Sequence, residues 1–302
     1  MTKSTKWFLG VLAVLGLFLF GFSLLFIVLI PTSSDRTDTI TTGSGEKLAV
    51  VELNGVITSS EDLVKQFKKY RQTKSIKGII LRVDSPGGGA VASQEMYQEV
   101  KKTRDSGKPV VVSMGALAAS GGYYVSCGAS KLVANPGTLT GSIGVISEFL
   151  QLQEALGKIG VGVKTIKSGK LKDAGSPTRK MTTDDEKYFQ ALMDDVHHQF
   201  IGVVETERKL DHKKTLALAD GRVFTGSQAM ELGLVDTLGS FEDAVSIAAD
   251  LAGIKGEPSL VKERRRRSMW EGIFSEMIES MVKVKQQTLE QPILSYQFIS
   301  PF

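Results

Sequence analysis

Residues 76–89 read IKGIILRVDSPGGG. Ile79, Ile80 and Leu81 run together, and Val83 follows one polar position later, which is how a strand buried on both faces of a parallel sheet is written. The strand cannot continue past Ser85. Pro86 has no N–H to give a ladder, and three glycines after it favour conformations that strand residues avoid. Upstream, KLAVVELNGVI (47–57) is another strand rich in β-branched residues, closing on the turn pair Asn54-Gly55. Between the two, SSEDLVKQFKKYRQ (59–72) carries Leu63, Val64, Phe67 and Tyr70 at helical spacing, with Ser59 or Ser60 as cap. Downstream, ASQEMYQEVKKTRDSG (92–107) is a helix closed by Gly107. KPVVVSMG (108–115) is the third strand, and SGGYYVSCGAS (120–130) opens the third helix. Strand and helix alternate over short connections, so the fold class is α/β, built from repeated βαβ units around a largely parallel sheet.

In such sheets, sites lie beyond the carboxyl ends of the strands. Two loops fall there, Asp84–Gly89 and Gly115–Gly122. The first can be a tight turn, an anion nest or an oxyanion hole; the Gly-x-x-x-x-Gly-Lys-Ser/Thr phosphate loop is absent. The second holds one hydroxyl, Ser120, among small residues at the start of a helix. A nucleophile there would have the Gly121 N–H beside any oxyanion it formed.

A serine nucleophile needs a base. The chain has three histidines, His197, His198 and His212. The first two lie in a very polar turn of a long helix running from about Thr183 to Arg208, and they read as surface residues. No His-Glu-x-x-His zinc motif occurs. A neutral lysine can replace histidine, provided burial or a nearby cation favours the uncharged form. VKTIKSGKLKDAGSPTRK (163–180) offers Lys164, Lys167, Lys170, Lys172 and Lys180, and spacing does not choose among them.

The bulk numbers fit a globular domain: 302 residues, 42% hydrophobic and 23% charged. The net charge of +4 rests on Lys262 and Arg264–Arg267, so the chain is not basic throughout and nucleic acid is not an expected partner. The single cysteine, Cys127, excludes an intrachain disulfide and reads as a core residue. Trp7–Ile30 is a charge-free stretch longer than the ~20 residues that span a bilayer. Lys3 and Lys6 precede it and no Ala-x-Ala cleavage site follows. It reads as a retained signal anchor with residues 1–6 cytoplasmic and the rest outside. Residues 31–46 read as a Ser/Thr/Gly-rich linker. From Val261 the sequence turns basic and then amphipathic. Trp270, Ile273, Phe274, Met277, Ile278 and Met281 share one helical face, suited either to anionic lipid or to packing on the domain or a neighbouring subunit.

DSPGGG, MGALAASGGYYVS, NPGTLTGSIGV and SGKLKDAGSPTR, in that order, closely resemble the motifs of the signal peptide peptidase A family, over roughly residues 47–255. These are membrane-anchored Ser–Lys proteases on the Clp protease/crotonase scaffold, and this chain resembles the short, single-copy form. The resemblance implies Ser120 as nucleophile, Lys172 as general base and Ser142 as the hydroxyl that orients the lysine. It implies an oxyanion hole from the Gly121 N–H with that of Gly87 or Gly88. It implies released signal peptides and other short hydrophobic peptides as substrates, and no metal or organic cofactor. It further implies a ring-like homo-oligomer with the dyad completed across a subunit boundary. The expected organisation is an anchor (7–30), a linker (31–46), a Ser–Lys peptidase domain (47–255) and a basic, amphipathic tail (256–302). Two rivals share the fold: a crotonase-type acyl-CoA enzyme, which leaves the anchor unexplained, and a non-catalytic membrane scaffold.

Overall fold

β2 (Lys47–Asn54) and β3 (Ile76–Ser85) lie side by side in parallel with Val51 opposite Leu81. Their side chains divide between two layers, as the two-residue period of a strand requires. Ala49, Val51, Ile79 and Leu81 face one core and Leu48, Val50 and Ile80 face the other. The computed structural model describes residues 37–265 and 295–297, with the single positions Trp7 and Gly16. Apart from those two positions, the anchor read at 7–30 lies outside the described residues, and so does the tail face from Trp270 to Met281.

The main sheet has the order β1-β10-β2-β3-β5-β6-β9, where β1 is Thr37–Thr42, β5 Val110–Ala119, β6 Lys131–Ala134, β9 Thr237–Leu238 and β10 Ser259–Arg265. β7 (Leu139–Gly141) adds to the far end of β5 and pairs antiparallel with β8 (Val223–Thr225). Every pairing from β10 through β9 is parallel. This is a mixed α/β fold around a parallel sheet. One face is covered by α1 (Glu61–Gln72), α2 (Ala90–Asp105), α3 (Gly121–Ser126) and α5 (Thr183–Arg208), which contribute Phe67, Val100, Tyr123 and Phe200 to the larger core. α8 (Phe241–Leu251) covers the other face with Ala244, Val245 and Ala248. Burying a side chain such as Phe67 or Phe200 contributes about 1.5–3 kcal/mol.

Two features depart from the expected plan. Residues 37–42, read as linker, form an antiparallel edge strand with Thr37 opposite Arg265 and Thr42 opposite Leu260. Threonine-rich polar sequence suits a strand half exposed at a sheet edge. The glycines of the first loop also form a strand, β4 (Gly87–Gly89). It is bracketed by Ile57 on one side and by β11 (Ser295–Gln297) on the other, the latter running antiparallel with Tyr296 opposite Gly88.

Candidate active site

Ser120 stands where β5 ends and α3 begins. Its backbone is at φ 53°, ψ −118°, a conformation that non-glycine residues adopt at a cost of order 1–3 kcal/mol. The surroundings hold it there. Its N–H donates to the Gly141 carbonyl at 2.8 Å, and its carbonyl accepts from the Tyr124 N–H at 2.8 Å. Ser120 is 1% exposed. α3 starts at once after this turn, so its first N–H groups have no helical acceptor.

The glycine loop packs against this turn with no room for side chains. A Cβ on Gly121 would meet Ser93 Oγ at 2.5 Å and lie 3.2 Å from the Gly87 Cα and the Gly88 nitrogen. A Cβ on Gly88, at φ 154°, would stand 2.2 Å from the Ile57 carbonyl oxygen. The Ile57 N–H donates to the Gly87 carbonyl at 2.8 Å and the Gly89 N–H to the Ile57 carbonyl at 2.7 Å. Ser85 Oγ accepts from the Gly87 N–H at 3.1 Å and donates to the Gly55 carbonyl at 2.6 Å. The Gly87 N–H is thereby occupied. Of the two loop donors expected from the sequence, Gly88 is the one without such a side-chain acceptor. Ser85, within DSPGGG, and Ser93, just after it, are buried under the loop and were not singled out by sequence reading, since neither carries a local signal of this role.

Ser142 follows β7 at φ 50° and is buried, with its N–H donating to the Arg222 carbonyl at 2.9 Å. Gly141 ties it to Ser120, because the Gly141 carbonyl holds the Ser120 N–H. Beside Ser142 opens a cavity of about 440 Å³, lined also by Gly144, Met193, Asp194, His197 and Asp220. His197 departs from the surface reading: its Nε2 is buried and, among the described residues, has no hydrogen-bond partner. His198 is exposed, and His212 sits outside on Glu205 at 2.7 Å. Cys127 is a core residue whose thiol burial pushes up to about 12, leaving it inert as a nucleophile.

Lys172 is not brought to Ser120 within the chain. Its side chain is exposed, and among the described residues no hydrogen bond joins it to Ser120 or Ser142. Its main chain, however, is firmly held. The Lys172 N–H donates to the Gly169 carbonyl at 3.1 Å. Arg179 reaches the Asp173 carbonyl at 3.0 Å, the Asp173 carboxylate at 2.9 Å and the Asp185 carboxylate at 2.5 Å. Lys167 adds contacts to Asp173 at 2.5 Å and to the Lys170 carbonyl at 2.8 Å. Asp185 also closes the capping box of α5 with Thr182. The Arg179 guanidinium, then Lys167, holds the Asp173 carboxyl down to about 2. Arg179, then Thr182, holds Asp185 well below the usual carboxylate range. A carboxylate with a depressed folded pKa stabilises above its ordinary value near 4, and that contribution is lost as pH falls toward the folded value. Arg179→Ala is therefore expected to lower kcat about tenfold or more while the far-ultraviolet spectrum is kept. In the wild type the 167–185 segment should loosen between about pH 4 and 2, read by hydrogen exchange. Unchanged kcat in Arg179→Ala would remove the loop's role.

The stretch 150–171, which leads into that segment, exposes Leu150, Ile159, Val161, Val163 and Leu171, and Ile166 is 91% exposed. Among the described residues, no group of three or more His, Cys, Asp or Glu side chains is placed to hold a metal ion.

The model of peptidase family S49 matches residues 102–255. A protein of Synechocystis sp. is 44% identical over 214 residues, covering 70% of this chain and 77% of that one. Protease 4 of Salmonella typhi is 38% identical over 221 residues, 70% of this chain and 36% of its own length. The chloroplastic serine protease SPPA of Arabidopsis thaliana is 34% identical over 227 residues, 70% and 33% respectively. The chain thus spans about a third of the length of these last two.

Proposed function

The chain belongs to peptidase family S49, the signal peptide peptidase A family, and is a serine protease; on that premise we propose that it is a membrane-anchored endopeptidase working through Ser120 and Lys172 on released signal peptides and other short hydrophobic peptides. The observation that carries the catalytic reading is the strained, buried Ser120 turn packed against the Gly87–Gly89 loop. Ser120 Oγ attacks the scissile carbonyl as Lys172 Nζ takes its proton. The oxyanion is met by the N–H groups of Gly121 and Gly88, where charge develops. The protonated lysine then gives its proton to the leaving amine. The acyl-enzyme ester is cleaved by a water that Lys172 deprotonates. Ser142 orients the lysine.

The lysine comes from a neighbouring copy in a ring-like homo-oligomer. The exposure of Lys172 and of the apolar side chains around it supports this reading, since an apolar surface of that extent marks an interface. The uncharged stretch 7–30 supports anchoring in a bilayer, with residues 1–6 on the cytoplasmic side and the catalytic domain beyond it. That placement puts the enzyme where hydrophobic signal remnants remain.

A fluorophosphonate probe is the direct test. The solubilised full chain should be labelled once, at Ser120, with labelling blocked by a synthetic signal peptide. Modification mapped to any other serine, or none while peptide is being cleaved, would refute Ser120 as the nucleophile.

A further inference from the structure

Ser85 is the last residue of β3 and is 0% exposed. Val83, two residues earlier on the same face of the strand, belongs to the larger core, and an apolar side chain would be the ordinary occupant of the next position on that face. A hydroxyl buried there costs free energy unless its hydrogen-bonding capacity is used. It is used twice, toward the Gly55 carbonyl at 2.6 Å and from the Gly87 N–H at 3.1 Å. Gly55 is itself tied to the end of β3, its N–H donating to the Asp84 carbonyl at 2.9 Å. Pro86 has no N–H, so the Gly87 amide is the first donor after the strand. Peptide planes carry the effect on to Gly88. Among the described residues every peptide bond is trans, and in a trans peptide the C=O and N–H point in opposite directions. The Gly87 carbonyl accepts from the Ile57 N–H, so the Gly88 N–H of the same plane points away from Ile57. The Gly88 nitrogen stands 3.2 Å from where a Cβ on Gly121 would lie, beside the other expected oxyanion donor. Gly87, at φ 96° and without a Cβ, does nothing of its own to keep the preceding plane from turning.

We propose that Ser85 is a positioning residue of the oxyanion hole: its hydroxyl, bridging the Gly55 carbonyl and the Gly87 N–H, locks the Pro86–Gly87 peptide so that the loop offers the Gly88 N–H, and not that of Gly87, to the developing oxyanion. The proposal rests on the reading of Ser120 and the glycine loop as the catalytic centre, and adds to it what selects the donor. Without the hydroxyl the buried Gly87 N–H has lost its acceptor. The plane that carries it is then driven to turn toward another one, and the oxyanion is the nearest that catalysis supplies. Such a turn pulls on the Gly87–Gly88 plane and competes with its bond to Ile57. Ser85 touches neither substrate nor Ser120 Oγ in this scheme. It acts on the transition state through one peptide plane, so its loss should leave ground-state binding alone.

The experiment uses the full chain in detergent, a fluorogenic signal-peptide reporter and a peptide boronic acid, whose boron forms a tetrahedral, oxyanion-bearing adduct with an attacking serine. Ser85→Ala removes the hydroxyl. Ser85→Cys keeps a side chain of similar shape with only weak hydrogen-bonding capacity, and so separates loss of the bond from loss of packing. A loop that is competent in about one molecule in ten lowers kcat and boronate affinity about tenfold each. Both variants should show those losses, with KM within about twofold of wild type. Wild-type kcat and boronate affinity in either variant would overturn the proposal. So would a raised KM with kcat kept, which marks a defect in substrate binding. Ser120→Ala separates this proposal from the reading beneath it. If wild type and Ser120→Ala hold the boronate alike, Ser120 is not the nucleophile and both fall. If wild type holds it about 100-fold more tightly and the Ser85 variants match wild type, the catalytic reading stands and the role of Ser85 falls.

Discussion

Ser120→Ala is expected to lower kcat/KM for a synthetic signal peptide by roughly 10⁴-fold or more, and Lys172→Arg to come within about tenfold of that loss. The two arguments differ. On the proposed mechanism Ser120 Oγ forms the ester, and alanine leaves only the oxyanion donors and the binding surface to act. Arginine keeps the charge, the length and the donors of lysine but does not give up its proton, so it cannot serve as base. Neither loss should come from unfolding. Lys172 is exposed, so the arginine side chain meets no packing constraint. The Ser120 turn is held by main-chain bonds to Gly141 and Tyr124 that alanine can also make. Thermal midpoints should stay close to wild type in both. A Lys172→Arg enzyme near wild-type activity would exclude lysine as the base.

The sheet was legible because its central strands are apolar runs whose ends are marked by glycine and proline. Ile79–Val83 and Val110–Met114, like Leu48–Val51, are buried on both faces. β1 was not legible: TDTITT contains one large apolar residue, and its pairing with β10 is set by a partner 218 or more residues away. β4 and β11 were hidden for the same reason in a stronger form. Three glycines show no periodicity, and an edge-to-edge pairing leaves no trace in either local sequence. Within the site, Ser120 and its loop could be located from the punctuation around them, but Lys172 could be selected from five lysines only by family likeness. The Arg179–Asp173–Asp185 cluster that secures its main chain had one readable element. Thr182 followed three residues later by Asp185 forms the capping box at the start of α5, a local signal that sequence reading did not use. His197 was misjudged because its neighbours in sequence are polar, whereas in the fold its Nε2 is buried and the residue lines the cavity beside Ser142.

Mixing Ser120→Ala with Lys172→Ala, each inactive alone, is expected to restore about a quarter of wild-type activity when equal amounts exchange subunits freely. The figure follows from counting. A working composite site needs an intact Ser120 in one copy and an intact Lys172 in its neighbour, each present with probability of about one half in a random ring. The structural ground for expecting such sites is a mismatch within the single chain. Ser120 and Ser142 are buried together, tied through Gly141, beside an open cavity. The lysine that should meet Ser142 points to solvent on a segment whose apolar side chains are also uncovered. The main chain around Lys172 is braced by Arg179 and Lys167, so a large internal rearrangement would have to break that cluster. Docking of the braced segment on a second copy requires no such break. It also covers Ile166 and its neighbours, which contribute about 25 cal/mol for each Å² removed from water. If the dyad instead formed within one chain, mixed rings would contain no copy with both residues. They would then remain silent, even with subunit exchange demonstrated by mass spectrometry. Activity that returns with the square of dilution by inactive copies supports composite sites. Silence in proven mixed oligomers places Ser120 and Lys172 in the same subunit.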